Sequence, residues 1–184
     1  MISKIDDFRE KKDIEDEFDE EEDTQEGQYL SFNIGKELYG IEIRYVTEIV
    51  GKQSITEIPE MPDFVKGVIN LRGSVIPVID VRLRFSMQER EYDDRTCVVV
   101  VKINESPIGL VVDTVSEVIS IAPELISPAP AVSSAKSNRY IQGIGRMEKR
   151  VIILLSVDKM LADHADDLQV ISKNLNDGNE IKTS

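Results

Sequence analysis

From Gln28 onward the chain is written in short β-branched runs separated by turn residues: YLSFNI, ELYGIEI, VTEIV, GVINL, SVIPVIDV, TCVVVVKI, SPIGLVVD, SEVISI, YIQGIG and RVIILLSV. Several of them alternate apolar with polar residues, the two-residue period of a strand with one buried face. About ten such strands, closely spaced, predict an all-β fold. After the last run the period changes. Ser156 is placed to cap a helix in which Val157, Met160, Leu161, His164, Leu168 and Ile171 share one face at 3.6-residue spacing. This helix, about 157–172, is expected to pack on the sheets, and 173–184 to form a frayed, disordered tail.

The strand pattern occurs twice. Residues 32–50, FNIGKELYGIEIRYVTEIV, reappear without a gap 69 positions later as 101–119, VKINESPIGLVVDTVSEVI. GVINLRGSVIPVIDV at 67–81 likewise lies over GIGRMEKRVIILLSV at 143–157, a shift of 76 anchored by Gly67 on Gly143 and Val75 on Val151. Five strands per repeat suit a small closed or nearly closed barrel whose interior is filled by side chains. Two five-stranded barrels are therefore expected, the first over about 28–94 and the second over about 95–157. Pro59, Pro62 and Gly67 punctuate one inter-block connection; 127–138, SPAPAVSSAKSN, forms a longer one.

Charge is unevenly placed. The chain carries a formal −13, and residues 1–26 hold 13 acids and 4 bases, or −9. An acidic stretch with few bulky apolar residues is expected to stay solvated, so 1–27 reads as a disordered extension, dispensable for partner binding. The alternative is an interaction tail in which Phe8, Ile14 and Phe18 form an amphipathic stripe. Without a Lys/Arg cluster interleaved with aromatics, nucleic acid is not an expected partner. The longest strictly aliphatic run, Val151 to Leu155, is far short of the roughly 20 residues of a membrane span. No direct membrane insertion is expected, and the single cysteine fits a reducing, cytoplasmic setting.

Groupings that carry chemistry are missing. His164 is the only histidine, so a nucleophilic relay would have to use a residue on the terminal helix, where a ring packed against a barrel is the simpler reading. Cys97, in TCVVVV, reads as a small buried hydrophobe rather than a reactive thiolate. Asp80, Asp113 and Asp158 stand at strand ends and helix starts. No GxGxxG, GxxxxGK[ST] or GxSxG occurs, so neither an enzyme, a metal nor a cofactor is expected. A small barrel enzyme or ligand carrier would need an enclosed pocket with convergent polar groups.

Function is sought where the copies differ. Copy B reads Gly67, Val68, Ile69, Asn70, Leu71, Arg72, Gly73, whereas its mate reads Gly143, Ile144, Gly145, Arg146, Met147, Glu148, Lys149. Asn70 and Gly73 suit a tight turn because both tolerate positive φ, which presents Leu71 and Arg72 at a rim. Arg72 is either a surface ion pair of little energetic weight or an interface anchor. Val46, Glu48 and Ile49, with their mates Val115, Glu117 and Val118, could line a groove between the lobes that accepts an amphipathic helix; core packing is the competing reading for the aliphatics.

QYLSFNIGKELYGIEIRYVTEIV, GVINLRGSVIPVIDVRLRF, GLVVDTVSEVISI and SPAPAV, in this order and with NLRG in the first copy only, closely resemble the CheW family of chemotaxis coupling adaptors, over about Gln28 to Leu168. The resemblance implies two five-stranded SH3-like β-barrels with a groove between them. It also implies two partners, the cytoplasmic hairpin tip of methyl-accepting chemotaxis receptors and the regulatory domain of the histidine kinase CheA. By residue match, receptor contact falls on Val46, Glu48, Gly67, Arg72, Cys97, Val98 and Gly109, with Asn70, Leu71 and Gly73 forming the turn that places the anchor. Kinase contact is implied at barrel ends, without assigned residues. The implied function is that of a noncatalytic scaffold of the receptor-kinase array, cytoplasmic and recruited to receptor clusters. The chain departs from the family in its acidic extension, its longer tail, and Ser127 where several relatives have Arg. Its lobe boundaries are soft, because related chains pass strands between halves.

Overall fold

The computed structural model describes residues 25–130 and 139–182. In chain order the elements are β1 (Gln28–Ile34), β2 (Glu37–Glu42), a 3-10 turn Ile43–Tyr45, β3 (Val46–Gly51), β4 (Val65–Leu71), β5 (Ser74–Asp80) and a short helix α1 (Val81–Arg84). There follow β6 (Cys97–Ile103), β7 (Ser106–Val112), β8 (Thr114–Ser120), β9 (Ile126–Pro128), β10 (Ile141–Arg146), β11 (Val151–Leu155), α2 (Val157–Leu161), a 3-10 turn and α3 (Ala165–Lys182). The ten expected strands are present, and the longer connection adds the three-residue β9.

The strands form two sheets, a six-stranded one in the order β8-β1-β2-β11-β10-β9 and a five-stranded one in the order β3-β6-β7-β5-β4. Neither sheet is a contiguous half of the chain. The duplication equates β1, β2 and β3 with β6, β7 and β8, and β4 and β5 with β10 and β11. Each sheet therefore holds the leading hairpin of one repeat and the remaining strands of the other. The expected barrels at about 28–94 and 95–157 are corrected accordingly: the β1–β2 and β6–β7 hairpins have changed places. The exchanged hairpins join their hosts through the only parallel ladders of the described strands, Leu38 to Gly40 against Ile152 to Leu154 and Gly109 to Val111 against Val78 to Asp80.

This exchange explains the uninterrupted apolar runs. In β6, Val98 and Val100 belong to one core cluster with Ile69, Ile76, Val78 and Val111, inside the five-stranded barrel. Val99, Val101 and Ile103 of the same strand face another, the seam between the sheets, with Leu30, Phe32, Ile34, Ile41, Ile79 and Leu110. β11 divides in the same way, Ile152 and Leu154 toward Tyr29, Leu38, Ile119 and Ile121, and Leu155 toward the seam. Both faces are dry, so alternation gives way to continuous Val and Ile. Burying each such side chain contributes about 1.5–3 kcal/mol, which places much of the stabilisation in the seam.

Polar ties cross that seam at equivalent places. Arg82 of α1 donates from Nε to Asp113 Oδ1 at 2.8 Å, and from Nη2 to Oδ2 at 2.5 Å. Asp113 also accepts the Gly35 N–H of the exchanged β1–β2 turn at 2.7 Å. Burial pushes the Asp113 carboxyl up, but hydrogen bonds from Arg82 and Gly35 and the charges of Arg82 and Arg90 outweigh it and hold the group below its ordinary range. The repeat mates of Asp113 and Arg82 are Arg44 and Asp158, a pair of reversed sign. Tyr45 joins them, its hydroxyl accepting from Arg44 Nη2 at 3.0 Å and donating to Asp158 Oδ2 at 2.8 Å.

Ser156 caps α2 as expected, its Oγ accepting the Lys159 N–H at 3.3 Å, and Val157, Met160, Leu161 and Leu168 are buried. The His164 ring meets Phe64 edge-on at 5.1 Å, the packing role expected of it. The helix boundaries differ from expectation. A 3-10 turn at Ala162–His164 breaks the predicted helix, and α3 then continues through Lys182 instead of fraying after 172. Its extension is anchored: the Asn176 carboxamide accepts the Val75 N–H of β5 at 2.9 Å and donates to the Val75 carbonyl at 3.2 Å. Tertiary contact stabilises a turn that its own composition would not hold. Residues 1–24, including the amphipathic stripe, lie outside the described residues, as do 131–138. Gly27 already belongs to the fold, its carbonyl accepting the Ile121 N–H at 2.9 Å.

Candidate functional site

Leu71 pairs with Ser74, so Arg72 and Gly73 are the two-residue loop of the β4–β5 hairpin. Their φ angles, 53° and 90°, are both left-handed, the pattern of a type I′ turn that matches the twist of the flanking strands. The expected positive φ at Gly73 is present. That expected at Asn70 is not: Asn70 stays in β4 and braces the turn, its Oδ1 accepting the Gly73 N–H at 2.9 Å. A left-handed arginine costs about 1–2 kcal/mol where glycine costs nothing comparable. Observed strain of this kind directs attention to the side chain it presents.

That side chain reaches the far edge of the sheet. Arg72 Nη2 donates to Glu48 Oε2 in β3, although β3 and β4 are opposite ends of the strand order. The five-stranded sheet therefore curls until its edges meet, and the ion pair spans the closure. Glu117, the repeat mate of Glu48, accepts in the same way from Arg150 Nη2 at 2.6 Å, between β8 and the β10–β11 turn. In the gapless register of the two copies Glu148, not Arg150, lies opposite Arg72. The second turn is longer, the Met147 N–H donating to the Arg150 carbonyl at 2.9 Å, and its arginine comes two positions later. The Arg72 side chain is 74% exposed and that of Glu48 31%, so the pair contributes only about 0–1 kcal/mol to stability and leaves both ends open to a partner.

The seven expected contact residues gather in one barrel but not on one face. A bulge between Val46 and Glu48 sends Val46 toward the seam, and Glu48 to the other face, opposite Val100. Ile49 pairs with seam-facing Val99 and is 44% exposed; its mate Val118 pairs with seam-facing Leu30 and is 51% exposed. Cys97 is half-buried against the seam core, its Sγ donating to the Arg95 carbonyl at 3.3 Å. Val98 is 2% exposed inside the barrel. Gly109 lies beside it, where a Cβ would meet Val98 Cγ1 at 2.8 Å. Gly67 is buried, its φ is 142°, and a Cβ there would stand 2.0 Å from the Thr56 carbonyl oxygen. Gly67, Val98 and Gly109 thus shape the barrel that carries the surface formed by Glu48, Ile49 and Arg72.

Among the described residues the barrel interiors are packed by side chains, Tyr29, Leu38, Ile119, Ile121, Ile152 and Leu154 in one and Ile69, Ile76, Val78, Val98, Val100 and Val111 in the other. The sequence profile of the CheW-like domain matches residues 28–165. The chain belongs to the CheW-like family. It is 42% identical to the chemotaxis protein CheW of Klebsiella aerogenes over 135 residues, spanning 73% of this chain and 81% of that protein. Identity to the chemotaxis protein CheW of Helicobacter pylori is 37% over 142 residues, 77% of this chain and 86% of the relative. The crystal structure of the scaffolding protein TtCheW from Thermoanaerobacter tengcongensis superimposes with a TM-score of 0.66 at 38% identity, covering 71% of this chain and 89% of that one. As a CheW-family member the protein is a noncatalytic chemotaxis adaptor, a scaffold rather than an enzyme. Among the described residues no helix is long and apolar enough to cross a membrane, and no three His, Cys, Asp or Glu side chains gather as a metal site.

Proposed function

We propose that this adaptor couples the cytoplasmic hairpin tips of methyl-accepting chemotaxis receptors to the regulatory domain of the kinase CheA, and helps to build the receptor-kinase array. The observation that supports this most directly is the left-handed Arg72, held out on a strained turn and shared with Glu48 at the edge of β3. An edge strand is accessible from both faces. The receptor's helical hairpin lies along β3, with Val46 and Ile49 supplying apolar contact on the seam side and Arg72 and Glu48 supplying polar contact at the rim. Gly67, Val98 and Gly109 act from below by fixing the barrel's shape, and Cys97 adds apolar surface. The kinase takes barrel ends, so receptor state reaches the kinase as a coupling free energy through the scaffold, in a cytoplasmic complex recruited to receptor clusters. Co-sedimentation of the full chain with membranes bearing receptor fragments, with and without a CheA-type kinase, tests this. Kinase should enter the pellet only with receptor and adaptor together; kinase recruitment independent of the adaptor refutes the coupling role.

A further inference from the structure

The two copies also disagree where α1 and α2 meet. Phe64 and Tyr140 are repeat mates at the shift of 76, and both rings lie against the Arg84 guanidinium, its Cζ 4.5 Å from one centroid and 4.6 Å from the other. The mate of Arg84 is Met160, fully buried in the seam core, whose carbonyl accepts from Arg84 Nε at 2.9 Å. One copy thus places a thioether where the other buries a cation, its side chain only 8% exposed. Arg84 Nη2 is buried and, among the described residues, has no hydrogen-bond partner. A buried donor left in that state is rare in folded proteins and points to a missing acceptor. The Asp163 carboxylate stands off at 3.7 Å, because its Oδ2 already accepts from Arg139 Nη2 at 2.9 Å. Asp163, Arg139, Lys159 and Ala162 line an open hollow of about 340 Å³. Arg139 is braced there, donating to the Tyr140 hydroxyl at 2.7 Å with its Cζ 4.9 Å from the ring centroid, so one tyrosine steadies both guanidinium groups. The mates of Arg139, Lys159 and Asp163 are Asp63, Leu83 and Met87, so this charge belongs to the second copy alone. Three cations face one carboxylate on a chain of net charge −13.

We propose that Arg84, Arg139 and Lys159 bind a small phosphate-type oxyanion, inorganic phosphate or the phosphoryl group of a small monoester, and that Asp163 holds its place in the unliganded protein. The ligand's class follows from the acceptors required. A carboxylate offers two oxygens, and that of Asp163 serves Arg139 while leaving Arg84 one acceptor short. A tetrahedral phosphate has an oxygen for each of the three cations, and the planar fork of a guanidinium matches two of them. Because the aromatic faces hold Arg84 in one orientation, little side-chain freedom is lost on binding. Moving Asp163 aside costs little, since its ion pair with Arg139 is exposed on both sides and its backbone lies in the 3-10 turn after α2. None of these residues belongs to the Arg72 surface, so the site stands apart from receptor coupling.

The experiment titrates inorganic phosphate into the full chain, with ionic strength held constant by sodium chloride, and follows the arginine Nε–Hε signals by NMR. Saturable shifts at Arg84 and Arg139 but not at Arg72 or Arg150, with a Kd on the order of millimolar, are expected. Asp163→Asn removes the resident carboxylate and should tighten binding about tenfold, whereas Arg139→Gln should weaken it about tenfold. Both side chains are about half exposed, so these variants keep the fold where a change at buried Arg84 could lose it. A parallel titration with glycerol phosphate separates the two sources: tighter binding than phosphate supports a monoester, weaker binding the free anion. Shifts that stay linear in both the parent and Asp163→Asn overturn the proposal. So does phosphate binding indifferent to Arg139→Gln, or sodium acetate binding as tightly as phosphate, which assigns the hollow to a partner's carboxylate.

Discussion

Gly67→Ala separates a contact residue from a packing residue. The β4 glycine has a φ of 142°, and a Cβ there would stand 2.0 Å from the Thr56 oxygen, 2.7 Å from the Thr56 carbonyl carbon and 3.0 Å from Glu57 Cα. These are backbone atoms, and no rotamer change relieves them. Thr56 and Val68 exchange two backbone hydrogen bonds of 2.9 Å each, the bridge tying the β3–β4 connection to β4. Displacing that connection costs about 1 kcal/mol for each bond, and a Cβ at this φ adds about 1–2 kcal/mol. The expected loss is about 3–4 kcal/mol, a fall in Tm of about 10 °C for a domain of this size. Thermal and urea unfolding followed by far-ultraviolet circular dichroism and tyrosine fluorescence, the chain having no Trp, measure it. A variant that melts within about 2 °C of the parent yet no longer co-sediments with receptor would refute the packing argument and return Gly67 to the contact surface.

Arg72→Ala is expected to behave in the opposite way. The exposed pair with Glu48 limits its stability loss to about 1 kcal/mol, whereas receptor binding in a co-sedimentation titration should weaken about 30-fold, or about 2 kcal/mol. Unchanged binding removes Arg72 as the anchor. Asp113 makes stability depend on acid. Its folded-state carboxyl titrates below the unfolded value near 3.8, so its contribution is complete above about pH 4 and declines as pH falls through the folded value. Urea unfolding of Asp113→Asn should show a shallower loss than the parent below pH 4, and parallel profiles would contradict that reading. Asn176→Ala removes the side-chain partner of both Val75 backbone groups and should cost about 2 kcal/mol, with faster hydrogen exchange along the second half of α3. Exchange unchanged there would mean that Asn176 does not anchor the extension.

Much of the architecture was legible without coordinates because its signals are local. Strand periods, the Ser156 cap and the two repeat shifts map onto elements at the expected places, the helix period does so only up to the 3-10 turn at Ala162–His164, and the residues of the resemblance are contiguous blocks. The candidate site was half legible. Arg72 and Glu48 stand out in separate sequence blocks, but their bond, and the equivalent bond of Glu117 to an arginine two positions off register, depend on how each sheet curls. Gly67, Val98 and Gly109 carry the same letters whether they touch a partner or a neighbouring strand, and only their burial distinguishes the two.

The order of strands and the kinship of the copies are properties of the chain alone, because hydrophobic period and repetition are read within a few residues of each position. Which copy a hairpin joins is a property of the whole. β2 pairs with β11 and β7 with β5 because the seam buries both faces of the central strands, and a one-strand pattern cannot name the surface on its second side. The same holds for α3, whose polar tail sequence remains helical where Asn176 finds the backbone of β5. Period decides what an element is; the packing of distant elements decides what it touches.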